Sequence, residues 1–162
     1  MHVDAPAECV YSCLWSADLA AAPVTRTLFA IRGGHFSKPV SSAPLTLRAM
    51  SRAGFTLLDE RPGDQILFGL IGRPWQPAYE IRRFEASEFI PFDESGYAKI
   101  VWNFAVQAES TGTRLSTQTR VRCTDRASLI KFQMYWLFTG PFSSFIRRQM
   151  LRSIAACASA DS

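Results

Sequence analysis

The side chains best suited to contact a ligand are two threonines in a strand-like run of the C-terminal half. Thr117 and Thr119 lie two residues apart where apolar and polar residues alternate, so both point to the apolar face of the predicted strand. Their hydroxyl groups could anchor the polar part of a ligand in an otherwise apolar cavity. Alternatively, each threonine packs through its methyl group and satisfies its hydroxyl locally.

Acid–base chemistry has weaker candidates. The only histidines are His2, at the amino terminus, and His35, in a segment rich in Ser, Pro and Gly that is typical of a loop. The acidic pairs Asp59-Glu60 and Asp93-Glu94 are neighbours in sequence, and neighbours in a strand point to opposite faces. Neither histidine-based nor paired-carboxylate catalysis is therefore predicted, and the catalytic residues stay unassigned.

The cysteine spacing predicts neither a metal site nor a redox motif. Cys9, Cys13, Cys123 and Cys157 include no CxxC pair, and no residues have metal-ligand spacing. Cys9 and Cys13 would share one helical face, a poor geometry for a mutual disulfide. We therefore expect buried free thiols in a reducing compartment, with no metal and no cofactor. The first residues lack the layout of a signal peptide, which favours a cytoplasmic protein.

The charge of the chain permits an acidic partner without requiring one. The net charge is +4 over 162 residues, a length typical of one domain with a sizeable core. Arg114, Arg120 and Arg122 form a basic row on the polar face of a predicted strand. RNA-binding sheets expose aromatic rings beside such a row. Here the rings lie on the opposite face, so no nucleic-acid partner is predicted.

The threonines and the arginine row belong to a β-hairpin that runs straight into the last helix. Gly96 to Glu109 and Thr113 to Thr124 both alternate apolar with polar side chains, and Ser110-Thr111-Gly112 is a turn signal between them. The pattern predicts a hairpin with one apolar face and one solvated face.

The register of this hairpin depends on where the turn falls. A two-residue turn at Thr111-Gly112 pairs Phe104 with Thr119 and Trp102 with Val121. All four side chains then lie on the apolar face, in agreement with the alternation.

The order of the other elements predicts an α+β protein. Two short helices come first, one starting at Asp4 to Glu8 and one at Pro23, and a brief helical turn follows from Thr46 to Ala53. A second hairpin runs from Phe55 to Gly72 around a Pro-Gly-Asp turn. Strands followed by one long helix are typical of the α+β class.

The last helix is the element that must cover the apolar face of the sheet. It begins after Asp125, a natural N-cap, and Gly140-Pro141 must kink or interrupt it. Leu129 to Phe138 is apolar nearly all round, so we expect this half to be largely buried. Ser128 to Ile146 comes nearest in character to a membrane segment. Because it contains Lys131 and the Gly-Pro break, a core helix is preferred, with membrane attachment as the alternative.

Several stretches, and the order in which they occur, resemble the START-like (SRPBCC) superfamily. This is the helix-grip fold of birch-pollen allergen and of polyketide cyclase-like proteins. The stretches are Val3 to Glu8 leading to Val10 and Leu14, Gly54 to Trp75, Gly96 to Phe104, Gly112 to Val121, and the helix with Tyr135-Trp136, Pro141-Phe142 and Ile146 to Arg148. The resemblance implies a curved antiparallel sheet gripping a long, kinked helix around a hydrophobic cavity. Members carry lipids, sterols or polyketides and a minority catalyse reactions on them, but they share no catalytic residue set.

One departure from the family concerns the first strand. The family opens with a full strand before its first helix, whereas here only Met1 to Val3 precede the helix start. We expect a stub that leaves one edge of the sheet open. Either the native start lies upstream, or a homodimer covers that edge.

Together these observations predict one START-like domain over residues 1–162 that binds or transports a hydrophobic or amphipathic small molecule between sheet and last helix. A polyketide cyclase/dehydratase-like or hydrolytic enzyme on the same scaffold is the first alternative. A partner-binding protein with a filled core is the second. The predicted ligand-binding residues are Phe68, Trp75, Glu80, Trp102, Phe104, Thr117, Thr119, Tyr135 and Trp136. Of these, Trp75, Tyr135 and Trp136 could instead belong to the core, and Glu80 could be solvated.

Overall fold

The alternating and helical patterns of the sequence produce an α+β structure in the computed structural model, which describes residues 1–19, 44–52, 54–76 and 80–160. A curved antiparallel sheet of six strands carries a long C-terminal helix and short helices. The strands are β1 (His2–Val3), β2 (Thr56–Arg61), β3 (Gln65–Arg73), β4 (Glu80–Arg82), β5 (Ala98–Glu109) and β6 (Gly112–Cys123). The helices are α1 (Ala7–Ser16), α2 (Leu47–Arg52), α3 (Ala86–Phe89) and α4 (Arg126–Ala160).

The sheet is built from the two predicted hairpins. Its strand order is β1-β6-β5-β3-β2, and β4 pairs with β3 beside this path. The central strand β3 is apolar on both faces because both are covered. Phe68 and Leu70 are buried on the inner face, towards α1 and α4, whereas Ile71 is buried on the outer face with Phe89 of α3.

The register of the β5–β6 hairpin differs by two residues from the predicted one. Trp102 pairs with Thr119 and Phe104 with Thr117, because the turn is formed by residues 110 and 111 and Gly112 already belongs to β6. Gly112 adopts a φ of 117°, which favours glycine, and a Cβ there would collide with the carbonyl oxygen of Val3. Because side chains alternate with period two, this shift leaves every residue on its predicted face.

The short helices near the amino terminus agree with the sequence patterns where the structure describes them. Residues Val10, Cys13 and Leu14 form the buried face of α1. The predicted cap of α2 is present, since the Ala49 backbone N–H donates to Thr46 Oγ1 over 3.2 Å. The helix predicted from Pro23 and the loop containing His35 lie outside the described residues.

A disulfide joins α1 to the end of α4. It links Cys13 to Cys157, which are 144 residues apart in sequence and have Cα atoms 5.9 Å apart. The expectation of free thiols is therefore wrong for this pair, because sequence spacing does not reveal which distant helices pack side by side. Cys9 and Cys123 are free. Disulfides are typical of oxidising compartments, so the cysteines no longer favour a cytoplasmic location. That location stays a prediction.

Helix α4 begins at a well-formed cap and continues for 35 residues. Asp125 Oδ1 accepts from the Ser128 backbone N–H over 2.8 Å, and Asp125 Oδ2 accepts from the Gly96 backbone N–H. The helix passes through Pro141, so of the two predicted outcomes the interruption does not occur, and the kink stays a prediction. One proline removes one backbone hydrogen bond, and the flanking turns keep theirs. None of the helices in the described ranges combines the length and apolar character needed to cross a bilayer.

The main core lies between the sheet, α1 and the C-terminal half of α4. From α4 it includes Ile146, Met150, Ile154 and Ala158, each at most 4% exposed. The predicted burial of Leu129 to Phe138 is wrong. Within that segment Leu137 and Phe138 are each 69% exposed. Helix α4 covers the sheet with one side only, and among the described residues no further layer covers its outer side.

The first strand is the predicted stub. Its residues pair as His2 with Arg114 and Val3 with Thr113. The terminal ammonium group of Met1 donates to the Leu115 carbonyl over 2.7 Å, which fixes the chain end to β6. Beyond this point, residues 116–123 of β6 have no strand partner on their outer edge within the described part of the chain.

Candidate functional site

Three of the predicted ligand-binding residues lie in the main core. Phe104, Phe68 and Trp102 are 0, 1 and 8% exposed. The Trp102 ring packs against Phe104 and Phe55 with centroid distances of 5.0 and 5.8 Å. Phe68 meets the edge of the Trp15 ring of α1 at 6.1 Å. These rings are packed core on the inner face of the sheet.

The two threonines of the inner face have protein partners. Thr117 Oγ1 accepts from Trp102 Nε1 over 2.8 Å and donates to the Asn103 carbonyl over 2.8 Å. Arg147 Nη1 donates to Thr119 Oγ1 over 3.4 Å. The hydrogen and one lone pair of the Thr117 hydroxyl are therefore engaged, and a ligand could donate only to its second lone pair. Thr119 lies where α4 leaves the packed core.

Trp75 and Glu80 flank the same end of β3 but have different surroundings. Trp75 is half-buried and packs against the cluster containing Leu70 and Ile100. Glu80 is exposed, and its Oε2 accepts from Arg73 Nη1 over 3.2 Å. Thus the structure brings Trp75 to the inner face and leaves Glu80 in a surface ion pair.

A second apolar cluster continues the inner face of the sheet beyond the main core. Leu70, Ala98 and Ile100 are its buried members. They share a face with Phe68 and Trp102, because they lie an even number of residues from them along β3 and β5. The partly buried residues that pack against this cluster are Phe55, Trp75, Ile81, Val121 and Cys123. Among the described residues, none of them comes from α4. We call this group the upper cluster.

The sheet-facing side of α4 carries a set of aromatic rings in its first half. Phe132 stacks on Trp136 with centroids 5.6 Å apart and contacts Tyr135 at 6.0 Å, and all three are half-buried. Gly140 suits this arrangement, because a Cβ there would lie 3.1 Å from Trp136 Nε1, a tight contact that the indole would have to relieve by a small shift. The rings pack chiefly on one another along the helix. Tyr135 and Trp136 are thus close together, but they are not part of the upper cluster.

The dimensions of α4 and β6 explain why the helix and the upper cluster separate. Arg147 contacts Thr119, while the helix starts at Arg126, three residues after Cys123 ends β6. Between Arg126 and Arg147 the helix rises about 31 Å. The strand between Thr119 and Cys123 spans only about 13 Å. The first half of α4 therefore extends past the strand on which its second half packs.

An open crevice of about 340 Å³ lies elsewhere, between α2, β2 and α3. Its lining residues are Ser51, Gly54, Phe55, Thr56, Arg83, Phe84, Glu85 and Glu88. It contains none of the predicted ligand-binding residues. Three of its polar side chains are engaged: Thr56 Oγ1 donates to the Phe84 carbonyl over 3.2 Å, and Glu85 and Glu88 cap α3 reciprocally. The crevice shares only Phe55 with the residues that pack on the inner face.

The outer face of the sheet holds a buried lysine that sequence reasoning missed. Lys99 Nζ donates to the carbonyls of Ile90 and Phe92 over 2.7 and 3.0 Å and lies 5.2 Å from the Phe89 ring centroid. Burial lowers the pKa of Lys99, with a further effect of the nearby Arg122. The alternation of β5 placed Lys99 on the solvated face. The signal that could have corrected this is the aromatic-rich segment before β5, which covers that face.

The other displaced pKa values have structural causes. Backbone hydrogen bonds lower the pKa of Asp125 to about 2, burial and the Glu60 carboxylate raise the pKa of Tyr11 to about 12, and the His2 ring lowers the pKa of Glu109. Burial raises the pKa of Cys123, which lies on the inner face. No cluster of three or more His, Cys, Asp or Glu side chains in the described ranges is suited to a metal ion.

No family model, curated protein or solved structure matches this chain. The START-like resemblance and the predicted ligand-binding set therefore stay predictions from the sequence.

Proposed function

We propose that this protein binds a hydrophobic or amphipathic small molecule between the upper cluster and the first half of α4, as a carrier with a helix-grip architecture. The observation that supports this most is the division of the apolar interior. The upper cluster includes no residue of α4, while Phe132, Tyr135 and Trp136 remain half-buried on that helix. Two apolar surfaces that do not pack on each other are the setting in which a lipid, sterol or polyketide gains most by burial.

The boundary between the main core and the upper cluster offers a polar contact for such a ligand. Arg147 donates to Thr119 Oγ1 over 3.4 Å and to Ser144 Oγ over 3.2 Å. A guanidinium group held in this way suits a carboxylate or hydroxyl at the polar end of an amphipathic molecule. The apolar body would then lie along Val121 and Ile100, with Trp75 at the far side.

The enzyme alternative has less support than the carrier. Of the described strand residues with a displaced pKa, only Cys123 points to the inner face, and burial raises the pKa of its thiol. A raised pKa disfavours the thiolate that nucleophilic catalysis requires. An acid–base pair on this face would be needed to favour an enzyme, and on β5 and β6 the inner-face residues are Thr, Trp, Phe, Cys and aliphatic side chains.

Native mass spectrometry of freshly purified protein, followed by organic extraction, tests the carrier directly. We expect a mass excess that organic solvent removes and that is identified as a lipid, sterol or polyketide-like compound. Protein that purifies without such a mass and binds neither fluorescent fatty acids nor fluorescent sterols would contradict the proposal.

A pair of cavity-filling substitutions locates the ligand. Val121→Phe in the upper cluster should abolish probe binding and change the free energy of unfolding by less than about 1 kcal/mol, because the larger ring enters unpacked space. Val106→Phe is the control, since Val106 is 2% exposed in the main core. Overpacking there should cost about 1–3 kcal/mol. Equal destabilisation by both, with probe binding intact in Val121→Phe, would place the ligand elsewhere.

A further inference from the structure

We propose that the outward side of the first half of α4 docks on the surface of an anionic lipid membrane. Large apolar side chains on this side are 41 to 69% exposed. They are Leu129, Ile130, Met134, Leu137, Phe138, Phe142 and Phe145. We call them the apolar stripe. Apolar side chains that lie together and are exposed to this degree mark protein or membrane interaction sites.

The stripe follows from the helical positions of its members. At about 100° per residue, five of them lie opposite the buried residues of the helix, and Leu129 and Phe142 lie at the two flanks. The five are Ile130, Met134, Leu137, Phe138 and Phe145. From Leu129 to Phe145 the stripe is about 24 Å long. No helix in the described ranges could cross a bilayer, so the stripe would lie in the interface plane rather than span it.

The positive charges of α4 favour a membrane surface that contains anionic lipid. Residues 126–160 contain no Asp or Glu, whereas Arg126, Lys131, Arg148 and Arg152 are exposed. Arg148 and Arg152 continue the outward side directly after Phe145. By the same helical spacing, Lys131 lies between Phe138 and Phe142 around the helix. An apolar face bordered by cations without compensating acids is typical of helices that lie on negatively charged lipid.

The same charges argue against a second copy of this chain as the occupant. An antiparallel pairing centred on Leu137 and Phe138 would bring Arg126 of one copy close to Arg148 of the other. A parallel pairing would set Lys131 beside Lys131 and Arg148 beside Arg148. Because α4 carries no carboxylate to separate them, both arrangements bring like charges together at the rim of an apolar contact.

A membrane also fits the stripe better than a protein groove. Between Leu129 and Phe145 the exposed polar residues are Lys131 and Gln133. A protein partner would therefore find few hydrogen-bonding groups to fix its orientation, whereas acyl chains need none. This inference does not depend on the ligand proposed above, because the stripe faces away from the sheet.

Flotation with lipid vesicles tests the proposal. The full chain should float with vesicles of phosphatidylcholine containing phosphatidylglycerol, bind pure phosphatidylcholine far less, and be released as salt increases. The double variant Leu137→Gln, Phe138→Gln should weaken vesicle binding on the order of tenfold or more. It removes the two most exposed apolar side chains of the stripe from contact with the acyl chains. The matched control is Ile90→Gln, which alters an apolar side chain that is 85% exposed on another surface.

A second pair of variants tests the charges. Arg148→Gln, Arg152→Gln should weaken binding to phosphatidylglycerol vesicles several-fold, whereas Arg120→Gln, Arg122→Gln removes the same charge from the outer sheet face and should change little. Circular dichroism of each variant confirms that it is folded.

Four results would overturn the proposal. They are absence of flotation with anionic vesicles, equal binding to neutral vesicles, equal losses in the controls, and a dimer that the Leu137→Gln, Phe138→Gln variant converts to a monomer while vesicle binding is unchanged. Each leaves the carrier proposal intact, since that depends on extraction and probe binding.

Discussion

The two halves of α4 are made of similar residues but have opposite surroundings. In the second half, Met150 and Ile154 are fully buried against the sheet and α1. In the first half, Met134 and Ile130 are 58 and 53% exposed on the same continuous helix. The apolar content of a helix therefore does not decide which part of it is core. What decides is whether another layer lies against the apolar side chains.

This difference in burial gives the two halves of α4 different roles in stability and in the proposed binding. The packed half contributes burial of apolar area, which is the dominant stabilising term in folding. The exposed half contributes little to stability, and its two sides remain open for the proposed ligand and the proposed membrane. Stability and binding should therefore respond to different substitutions along one helix.

The largest effect on stability is expected at Trp102, in the core that the second half of α4 covers. Its ring contacts Phe55 and Phe104, and its indole N–H donates to Thr117. Trp102→Ala should lower the free energy of unfolding by about 3–5 kcal/mol, measured by urea denaturation, because it leaves a cavity and removes one of the two hydrogen bonds of the Thr117 hydroxyl. Loss of ligand with little loss of stability would instead make Trp102 part of a binding wall.

The sharpest comparison uses two methionines of the same helix. Met150→Ala should destabilise the protein by about 2–4 kcal/mol, and Met134→Ala by less than about 0.5 kcal/mol, since only Met150 is buried. Each variant is measured by urea denaturation beside the wild type. Similar losses at both positions would mean that the first half of α4 is packed in solution.

The smallest effect concerns the anchor at the start of the exposed half. Backbone N–H groups of Ser128 and Gly96 lower the pKa of Asp125 from 3.8 to about 2. A depressed pKa in the folded state stabilises the protein above the unfolded pKa, and the contribution is lost as pH falls from about 4 to about 2. Asp125→Asn should therefore remove part of the acid sensitivity of unfolding and cost stability at neutral pH.

The control for this prediction is Asp64→Asn, which replaces an exposed carboxylate in the β2–β3 turn. Urea midpoints are compared at pH 7 and pH 3. If wild type and Asp125→Asn lose the same stability between these pH values, the Asp125 cap does not anchor α4.

Much of the fold could be predicted from local patterns. Period-two alternation identified both hairpins and the inner face, and Asp125 and Thr46 marked helix starts that the structure confirms. The hairpin register was missed by two residues because alternation fixes the face of a side chain but not its partner. The Cys13–Cys157 disulfide was missed because it joins residues at opposite ends of the chain.

The candidate site was harder to predict than the fold. Alternation placed Thr117 on the inner face, but only three-dimensional contacts reveal that Trp102 and Asn103 satisfy its hydroxyl. Likewise, Glu80 could not be assigned to a surface ion pair without knowing that β4 sets it beside Arg73. Because Leu129 to Phe138 is apolar nearly all round, the sequence predicted that this segment is buried. It is exposed because no neighbouring layer in the described part of the chain covers its outer side.

Hydrogen–deuterium exchange along α4 tests the contrast between its halves most directly. Amides of residues 129–141 should exchange on the order of tenfold or more faster than those of 147–158, because local opening of the first half exposes little buried surface. Vesicles containing phosphatidylglycerol should slow exchange in residues 129–141 and leave 147–158 unchanged. Equal protection of both segments without vesicles would contradict the account.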